Sequence, residues 1–511
     1  MKSNSSPNDI PSKFLKIASC IVSEWLSKFF NKCMTTGEFP GSRKIAHITA
    51  ILKAHSPSSS SKCRPISVLP VLSNLFVKVL YHRVYSYLTE HNLINKRQYG
   101  FRENHSTELA IITIYDELLR NFDNKLITCS LFLDLSKEFD CCEHKILLDK
   151  VYHHGIRVVS HKLFSNFLHN RMQWTKIRAF KSSYKRISCW VRQGSVISPL
   201  LFLIYINDIT KASSFHATLF ADDINLHKSN SCFNVLQTTV NLEICKIDHW
   251  LRANQLSINC NKTNFMLWTS RKHDPASFKV TINNHHISPE DNLKYLGVLD
   301  NKLSWKPHVQ KVKTQLSRAC GILSKLKHCI TPPVLKVVYN PLIHPYLNYS
   351  ILNWGCASNA TIQPLIKLQN KAIKIINPTK MGSLEEHLQH LNILCLPKLY
   401  SFSVGKFMHS YNKLLPNHFD EYFIPLNSIH YHSTKLATSK NLFLPRVNSS
   451  SGKCSLKFIG PKVWSSLPAD IKFSTTFTFE WKFKKHFLHE KNSQLWTLAT
   501  FHLSRTKYCA F

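Results

Sequence analysis

TLFADDINLH, residues Thr218 to His227, sets two adjacent aspartates, Asp222 and Asp223, between two short apolar runs. The alternation on either side reads strand–turn–strand. Aspartate is common in turns, so a polar hairpin tip accounts for the Ala-Asp-Asp triplet taken alone. Like charges this close nevertheless raise each other's pKa and cost free energy unless a cation neutralises them. Mg²⁺, a hard and oxygen-seeking ion, is the natural counterion. A third carboxylate, Asp134, stands near the end of a β-rich apolar run, ITCSLFLDL, Ile127 to Leu135, which reads as a central strand. Together the three are expected to form a cage in which two metal ions roughly 3.5–4 Å apart would clamp the attacking and leaving oxygens of a phosphoryl transfer.

Outward from the hairpin, the pattern alternates between helix and strand. Ile17 to Phe30 has helical spacing and ends before the turn TTGEFPG, while HITAILK, His47 to Lys53, alternates like a strand. SPSSSS, Ser56 to Ser61, reads as a loop or short flexible insert, and Leu72 to Leu88 returns to helical periodicity. VISPLLFLIYI, Val196 to Ile206, is a buried helix or strand, with Pro199 placed as at a helix start. Leu236 to Leu251 reads as an amphipathic helix, and FKVTINNHHI, Phe278 to Ile287, as a hairpin turning at Asn283-Asn284. From about Val309 the chain is mostly helical. From about Pro425 it turns irregular, with VNSSSGK, Val447 to Lys453, as a loop.

Lys and Arg outnumber Asp and Glu by 66 to 30, a formal charge of +36 that repels itself and attracts polyanions. Nucleic acid is the expected partner. The charge is also unevenly placed: no acidic residue falls between Asp300 and Glu385, a span that includes Lys336, Lys367, Lys371 and Lys374. A one-signed surface of this kind suits phosphates. Sixteen cysteines without a CxxC pair give neither a zinc site nor a disulfide framework, which fits reduced thiols in cytosol or nucleus. The opening residues MKSNSSPNDIPSK lack the apolar core of a signal peptide, and the longest apolar run is too short to cross a bilayer. The chain is therefore expected to be neither secreted nor membrane-bound.

Several stretches together resemble the reverse transcriptases of non-LTR, LINE-type, jockey-like retrotransposons. They are LFLDLSKEFD (Leu131 to Asp140), RQGSVISPLLFLIYINDI (Arg192 to Ile209) and FADD (Phe220 to Asp223). Upstream, CRPISVLPVLSNLFVKVL (Cys63 to Leu80) and QYGFRENHST (Gln98 to Thr107) resemble fingers motifs of that family. Downstream, LSINCNKTNFM (Leu256 to Met266) and LKYLGVLDNKLSW (Leu293 to Trp305) resemble its last palm motifs. NLFLPRVNSSSGKCSLKFIGPKVWSSLP (Asn441 to Pro468) resembles the tail of such element-encoded proteins.

The resemblance implies an α/β (α+β) right-hand polymerase with fingers, an antiparallel-sheet palm and a helical thumb, plus a basic C-terminal extension. The implied units are a helical lead-in over 1–42, the reverse transcriptase domain over 43–300, a basic thumb and connection over 301–400 and an extension over 401–511. Asp134, Asp222 and Asp223 are implied to hold two Mg²⁺ ions, with Mn²⁺ an alternative, helped by the carbonyl of Leu135. Phe139 is implied to exclude a 2′-hydroxyl, and Gln193 and Gly194 to support the base and incoming nucleotide. Lys53 and Arg64 are implied to meet the triphosphate, and Lys262 to protonate leaving pyrophosphate. Lys306, Lys311, Lys313, Arg318, Lys325 and Lys327 are implied to grip an RNA–DNA duplex by its backbone. The expected partners are template RNA, a DNA primer or target DNA, and dNTPs, in nucleus and cytoplasm. Neither the family's endonuclease nor a ribonuclease H signature is found. Phe220, Glu138, Trp190, Arg192 and the run Cys141-Cys142-Glu143 depart from the family pattern. They motivate a competing expectation, an inactive element remnant that only binds nucleic acid.

Overall fold

The computed structural model describes residues 10–41, 44–52, 63–136, 141–177, 180–187, 194–270, 277–297, 299–378, 382–416, 419–420, 422–429 and 442–489. Helices α1 (Ser12–Ile17) and α2 (Ser19–Thr36) lead into strands β1 (Ile45–Leu52) and β2 (Cys63–Val68). Helix α2 continues past Phe30 because the turn comes only at Gly37, whose φ of 71° ends it in the left-handed manner typical of glycine. Helices α3 (Val71–Glu90) and α4 (Thr107–Asp123) precede β3 (Ile127–Leu133). Next come α5 (His144–His153), α6 (Val158–Leu168), β4 (Arg171–Ile177), β5 (Phe180–Lys181), β6 (Lys185–Ile187) and α7 (Ser198–Ile206). The hairpin β7 (His216–Phe220) and β8 (Asp223–Asn230) is followed by α8 (Phe233–Ala253), β9 (Asn264–Trp268), β10 (Val280–Ile282) and β11 (His285–Pro289). The chain then turns helical: α9 (Lys306–Leu326), α10 (Pro332–Leu342), α11 (His344–Asn348), α12 (Ile351–Trp354), α13 (Asn359–Ile376), α14 (Leu384–His390) and α15 (Leu396–Leu414).

One sheet has the strand order β10-β11-β9-β3-β8-β7, and a second, β2-β1-β4-β5, has β6 paired to β4. Strand β3 is central, antiparallel to both β8 and β9. Its side chains alternate between two cores. Ile127, Cys129, Leu131 and Leu133 pack with α7 and α8, while Phe132 packs on the other face with α4 and the later helices. Burial on both faces explains why this strand reads as one continuous apolar run. Helix α7 starts with Pro199 in its first turn and buries every other side chain it has, which decides for helix over strand. Asn283 and Asn284 both take positive φ, 51° and 63°, the requirement of a type I′ hairpin turn.

The region after Pro425 is more regular than its sequence suggests. Residues 456–489 form helices α16 (Leu456–Ser466), α17 (Ala469–Lys472) and α18 (Thr476–His489). Phe479, Phe483 and Phe487 recur every fourth residue, and all are buried against the same core as α4. Tertiary burial fixes this aromatic-rich segment as helix; its tight mixture of aromatic and basic residues hides the period. Carboxylates of α4 tie the segment down. Asp116 accepts from the Tyr422 hydroxyl and, at 3.0 Å, from the amide of Leu456. Asp123 accepts from the amides of Asn448 and Ser449 at 3.0 and 2.7 Å. Among the described residues no helix is long and apolar enough to cross a membrane.

Candidate active site

Asp134 is the first residue past β3, where the strand leaves its double cover, and its side chain is 40% exposed. A loop from Ser257 to Thr263 holds it from the side. The amide of Asn259 donates to the Asp134 carbonyl at 2.8 Å, and the Asp134 amide donates to Thr263 Oγ1 at 3.2 Å. Asn259 Nδ2 also donates to Asp134 Oδ2 at 3.0 Å, and Lys262 Nζ lies 3.6 Å from the same oxygen. Leu135 pairs with Ile258 through the Asp134 carbonyl and the Ser136 amide, which leaves the Leu135 carbonyl outside that pairing.

The register of β3 and β8 pairs Leu133 with Ile224, so the next step sets Asp134 across from Asp223. Phe220 pairs with Asp223, leaving Ala221 and Asp222 as a two-residue turn. Ala221 takes φ of 57°, a region a residue with a Cβ enters at some cost. The neighbouring chain holds it there. The Tyr99 amide donates to the Leu219 carbonyl of β7 at 2.8 Å, and the Leu219 amide donates to the Arg97 carbonyl at 2.9 Å. Gln98 Oε1 accepts from the amides of Ala221 and Gly100, at 2.9 and 2.8 Å. Gln98 is itself buried. The segment QYG thus braces the back of the aspartate turn.

Packing beneath the turn is the largest cause that pushes the Asp223 carboxyl up, to about 6, although its outer side stays accessible; Asp222 and Asp134 add like-charge repulsion. A cation at the strand ends relieves that repulsion. Among the described residues no three His, Cys, Asp or Glu side chains close into a ready metal cage. The closed cage expected from sequence is therefore an open set, with Asp134 Oδ2 engaged by Asn259 and Lys262. An open set still fits Mg²⁺, which is usually held by one or two carboxylates together with substrate phosphates.

Residues 51–299 match the family described as reverse transcriptase (RNA-dependent DNA polymerase). They belong to that family. Similar curated proteins from Drosophila melanogaster are the probable RNA-directed DNA polymerases of transposon BS and of transposon X-element. Each is 26% identical over 373 residues, covering 69% of this chain and 40% of the relative. The RNA-directed DNA polymerase of the mobile element jockey, also from D. melanogaster, is 25% identical over 379 residues, with the same coverage. The chain thus spans about 40% of the length of the curated relatives it matches. A solved telomerase from Candida albicans overlaps 76% of this chain and 68% of its own at 13% identity and a TM-score of 0.35.

Within the reverse transcriptase domain, Gly194 takes φ of 106°, and a Cβ there would lie 2.7 Å from the Ser67 carbonyl of β2. Glycine is required on both counts. Arg64 lies on β2, its backbone opposite Ile51 of β1. The Arg64 side chain lies outside the described residues, as do Lys53, Phe139 and Gln193, along with the divergent Glu138, Trp190 and Arg192. Past the domain, all six cations singled out from Lys306 to Lys327 are exposed. Lys311, Arg318 and Lys325 recur every seventh residue along α9 and form one stripe; Lys306 and Lys313 form a second at the same spacing.

Sequence reasoning missed Asn259, Gln98, Gly100 and Glu117. Asn259 sits inside LSINCNKTNFM and Gln98 inside QYGFRENHST, so each motif marked the place without revealing the contact. Glu117 on α4 holds the hairpin from behind: its carboxylate lies 3.1 Å from His227 Nε2, 3.5 Å from His216 Nδ1 and 3.6 Å from an Arg97 nitrogen. Burial opposes its ionisation, but the hydrogen bond from His227 and the charges of His227, Arg97 and His216 outweigh it and hold the carboxyl at about 2. A folded pKa below the unfolded value of 4.5 gives stability that is fully present above that value and is lost as pH falls toward 2. Glu117→Gln is expected to flatten the decline of melting temperature with acidification between those limits. A decline parallel to the parent protein's refutes the assignment.

Proposed function

We propose that this chain is an RNA-directed DNA polymerase of a non-LTR, jockey-like retrotransposon, adding dNTPs to a primer 3′-hydroxyl on an RNA template. The observation that carries this is the register, which sets Asp134 across from Asp223 with Asp222 in the turn between them. The Drosophila relatives, named as RNA-directed DNA polymerases, support the substrate class. In this reaction the primer 3′-oxygen bonds to the α-phosphorus, the bond from that phosphorus to the bridging oxygen breaks, and pyrophosphate leaves.

Most of the work is positioning and charge stabilisation. Reverse transcriptases use divalent metal ions. Asp134 and Asp222, with Asp223 and the Leu135 carbonyl as further donors, would hold two Mg²⁺ ions, or Mn²⁺, and these would supply neutralisation of the attacking and leaving oxygens. Asn259 keeps the Asp134 carboxylate turned toward the strand end, through its 3.0 Å hydrogen bond. Lys262, 70% exposed and beside Asp134, is the proton donor to pyrophosphate. Arg64 and Lys53 take the triphosphate, Arg by a bidentate fork and Lys as a point charge. Gly194 brings its loop against β2 so that Gln193 supports the base pair, and Phe139 excludes the 2′-hydroxyl. The stripes of α9 hold the duplex through phosphates, with affinity that falls as salt rises.

The test is primer extension by purified protein on a DNA primer annealed to RNA, with Mg²⁺. Template-dependent extension with dNTPs and none with rNTPs is expected. Nucleic-acid binding without any incorporation above background would instead identify an inactive remnant.

A further inference from the structure

Two polar groups on the α4 side of the six-stranded sheet lack the partner each calls for. The first is the Asp223 carboxylate. Opposite residues of paired strands share a face, and alternate residues return to it. Phe132 of β3 packs toward α4 and pairs with Asn225 of β8. Asp134 and Asp223 lie one step of the alternation beyond that pair, on the same face. Asp134 is held there by Asn259 Nδ2 at 3.0 Å. Among the described residues no amide or side chain donates to the Asp223 carboxylate.

The second is the Tyr295 hydroxyl. Residues 292–293 pair with 299–300 in a short hairpin, and Tyr295 in its loop is 4% exposed. Its ring packs on Phe132, with centroids 5.1 Å apart and planes tilted by 57°. Its Oη is buried and has no hydrogen-bond partner among the described residues. Such an orphan costs free energy, so packing alone favours phenylalanine at this position. The other polar groups nearby are engaged. Asn225 Nδ2 donates to the Leu131 carbonyl at 3.3 Å, and Asn225 Oδ1 lies 3.4 Å from His227 Nδ1. Tyr99 Oη is bonded to Thr113 Oγ1 at 2.7 Å. Burial first, and then Asp223 and Tyr99, push the Tyr295 phenol well above its ordinary range, which keeps the hydroxyl protonated.

We propose that Tyr295 is the positioning residue of Asp223: its hydroxyl donates to the inward oxygen of that carboxylate when the outward oxygen holds a divalent ion. The proposal rests on the reading of the three aspartates as metal-holding groups. Carboxylates that hold metals are themselves hydrogen-bonded from behind, and Tyr295 gives Asp223 what Asn259 gives Asp134.

The test reads metal binding without primer, template or dNTP. Free Mn²⁺ is followed by its electron paramagnetic resonance signal during titration of the parent, Tyr295→Phe, Asp223→Asn and the double variant. Each protein is also melted thermally. The Mn²⁺ lost in Asp223→Asn counts the aspartate site among whatever else the chain takes up. Partners of metal ligands are worth about 10–100-fold in affinity, so Tyr295→Phe is expected to weaken that site by about tenfold or more. It is expected to melt at or above the parental temperature, because the group removed had no partner. In the Asp223→Asn background the same substitution is expected to change nothing further. Tyr339→Phe is the control, since its hydroxyl accepts from Gln369 at 3.2 Å within the same core. That variant is expected to melt lower and to bind Mn²⁺ like the parent. Parental affinity in Tyr295→Phe or in Asp223→Asn, an additive loss in the double variant, a matching loss in Tyr339→Phe, or a parent that takes up no Mn²⁺ overturns the proposal. Primer extension separates this result from the polymerase reading. A parent that extends a primer while Tyr295→Phe binds Mn²⁺ normally keeps the polymerase and removes Tyr295. A parent that binds Mn²⁺ through Tyr295 but extends nothing sinks the polymerase reading and leaves the assignment standing.

Discussion

Asp134→Ala is expected to lower dNTP incorporation by on the order of 10³-fold while leaving the fold and the affinity for primer–template nearly intact. The two halves of this expectation have separate physical grounds. The side chain is 40% exposed and stands at a strand end, so its removal opens no cavity. It gives up a 3.0 Å hydrogen bond from Asn259 and a 3.6 Å contact with Lys262. Both are partly solvated contacts, and substitutions outside a core usually shift stability by no more than about 0.5 kcal/mol. Catalysis loses far more. A carboxylate that holds a divalent ion at a transferring phosphate supports several kcal/mol of charge stabilisation, and each 1.36 kcal/mol is tenfold in rate. The measurement pairs single-turnover primer extension with a thermal melt. Incorporation within tenfold of the parent, in a protein that melts normally, removes Asp134 from the mechanism.

The parts of the site legible in sequence are those fixed by local periods. The β7–β8 hairpin, the buried run of β3 and the helix start at Pro199 each follow from neighbours in the chain. Asn283-Asn284 carries its own turn chemistry. The supporting contacts are different, because they join residues far apart in sequence. Gln98 reaches the Ala221 amide across 123 positions, and Asn259 reaches Asp134 across 125. No periodicity encodes such pairs. The same holds for the C-terminal segment, whose Leu456 amide meets Asp116 across 340 positions. Its helices are fixed by the core they enter, and a window of local sequence contains none of that core.

Helix α4 is where these long-range contacts meet. Glu117 faces the histidines of the aspartate hairpin, while Asp116 and Asp123 receive the C-terminal segment. One short stretch of helix therefore couples the aspartate turn to residues 442–489. The boundary expected at residue 401 falls within one core, which runs from Tyr99 to Phe487. Burial pushes the Asp116 carboxyl up, against the hydrogen bonds from Tyr422 and Leu456. A buried carboxylate of this kind holds its place only while its donors stay, which makes the C-terminal helices part of the support of the reverse transcriptase domain.

Gly100→Ala tests the brace most sharply. It is expected to cut the extension rate by about 10²-fold with a modest loss of stability. A Cβ at Gly100 would fall 2.3 Å from the Ala221 amide nitrogen and 2.9 Å from the Phe220 carbonyl carbon. Both are backbone atoms of the aspartate turn, and no side-chain rotation can clear them. The φ at Gly100 is not left-handed, so alanine meets no backbone strain and the effect is purely steric. Either the QYG segment or the turn must retreat, and either movement breaks the shared acceptor at Gln98 Oε1. Overpacking of this kind typically costs 1–3 kcal/mol, small enough for a domain of this size to stay folded. A shift on the order of 1 Å in catalytic groups costs about 10²-fold in rate. Asp222 and Asp223 ride on the displaced atoms, so the rate suffers more than the fold. Gly321→Ala is the matched control. Its Cβ meets nothing within 4 Å, and it lies inside α9, where alanine is the better helix former. That variant is expected to keep the parental rate and melt at or above the parental temperature. Equal rates for the Gly100 and Gly321 variants, in proteins that both melt cooperatively, would show that the turn tolerates displacement and that the brace does not set its position.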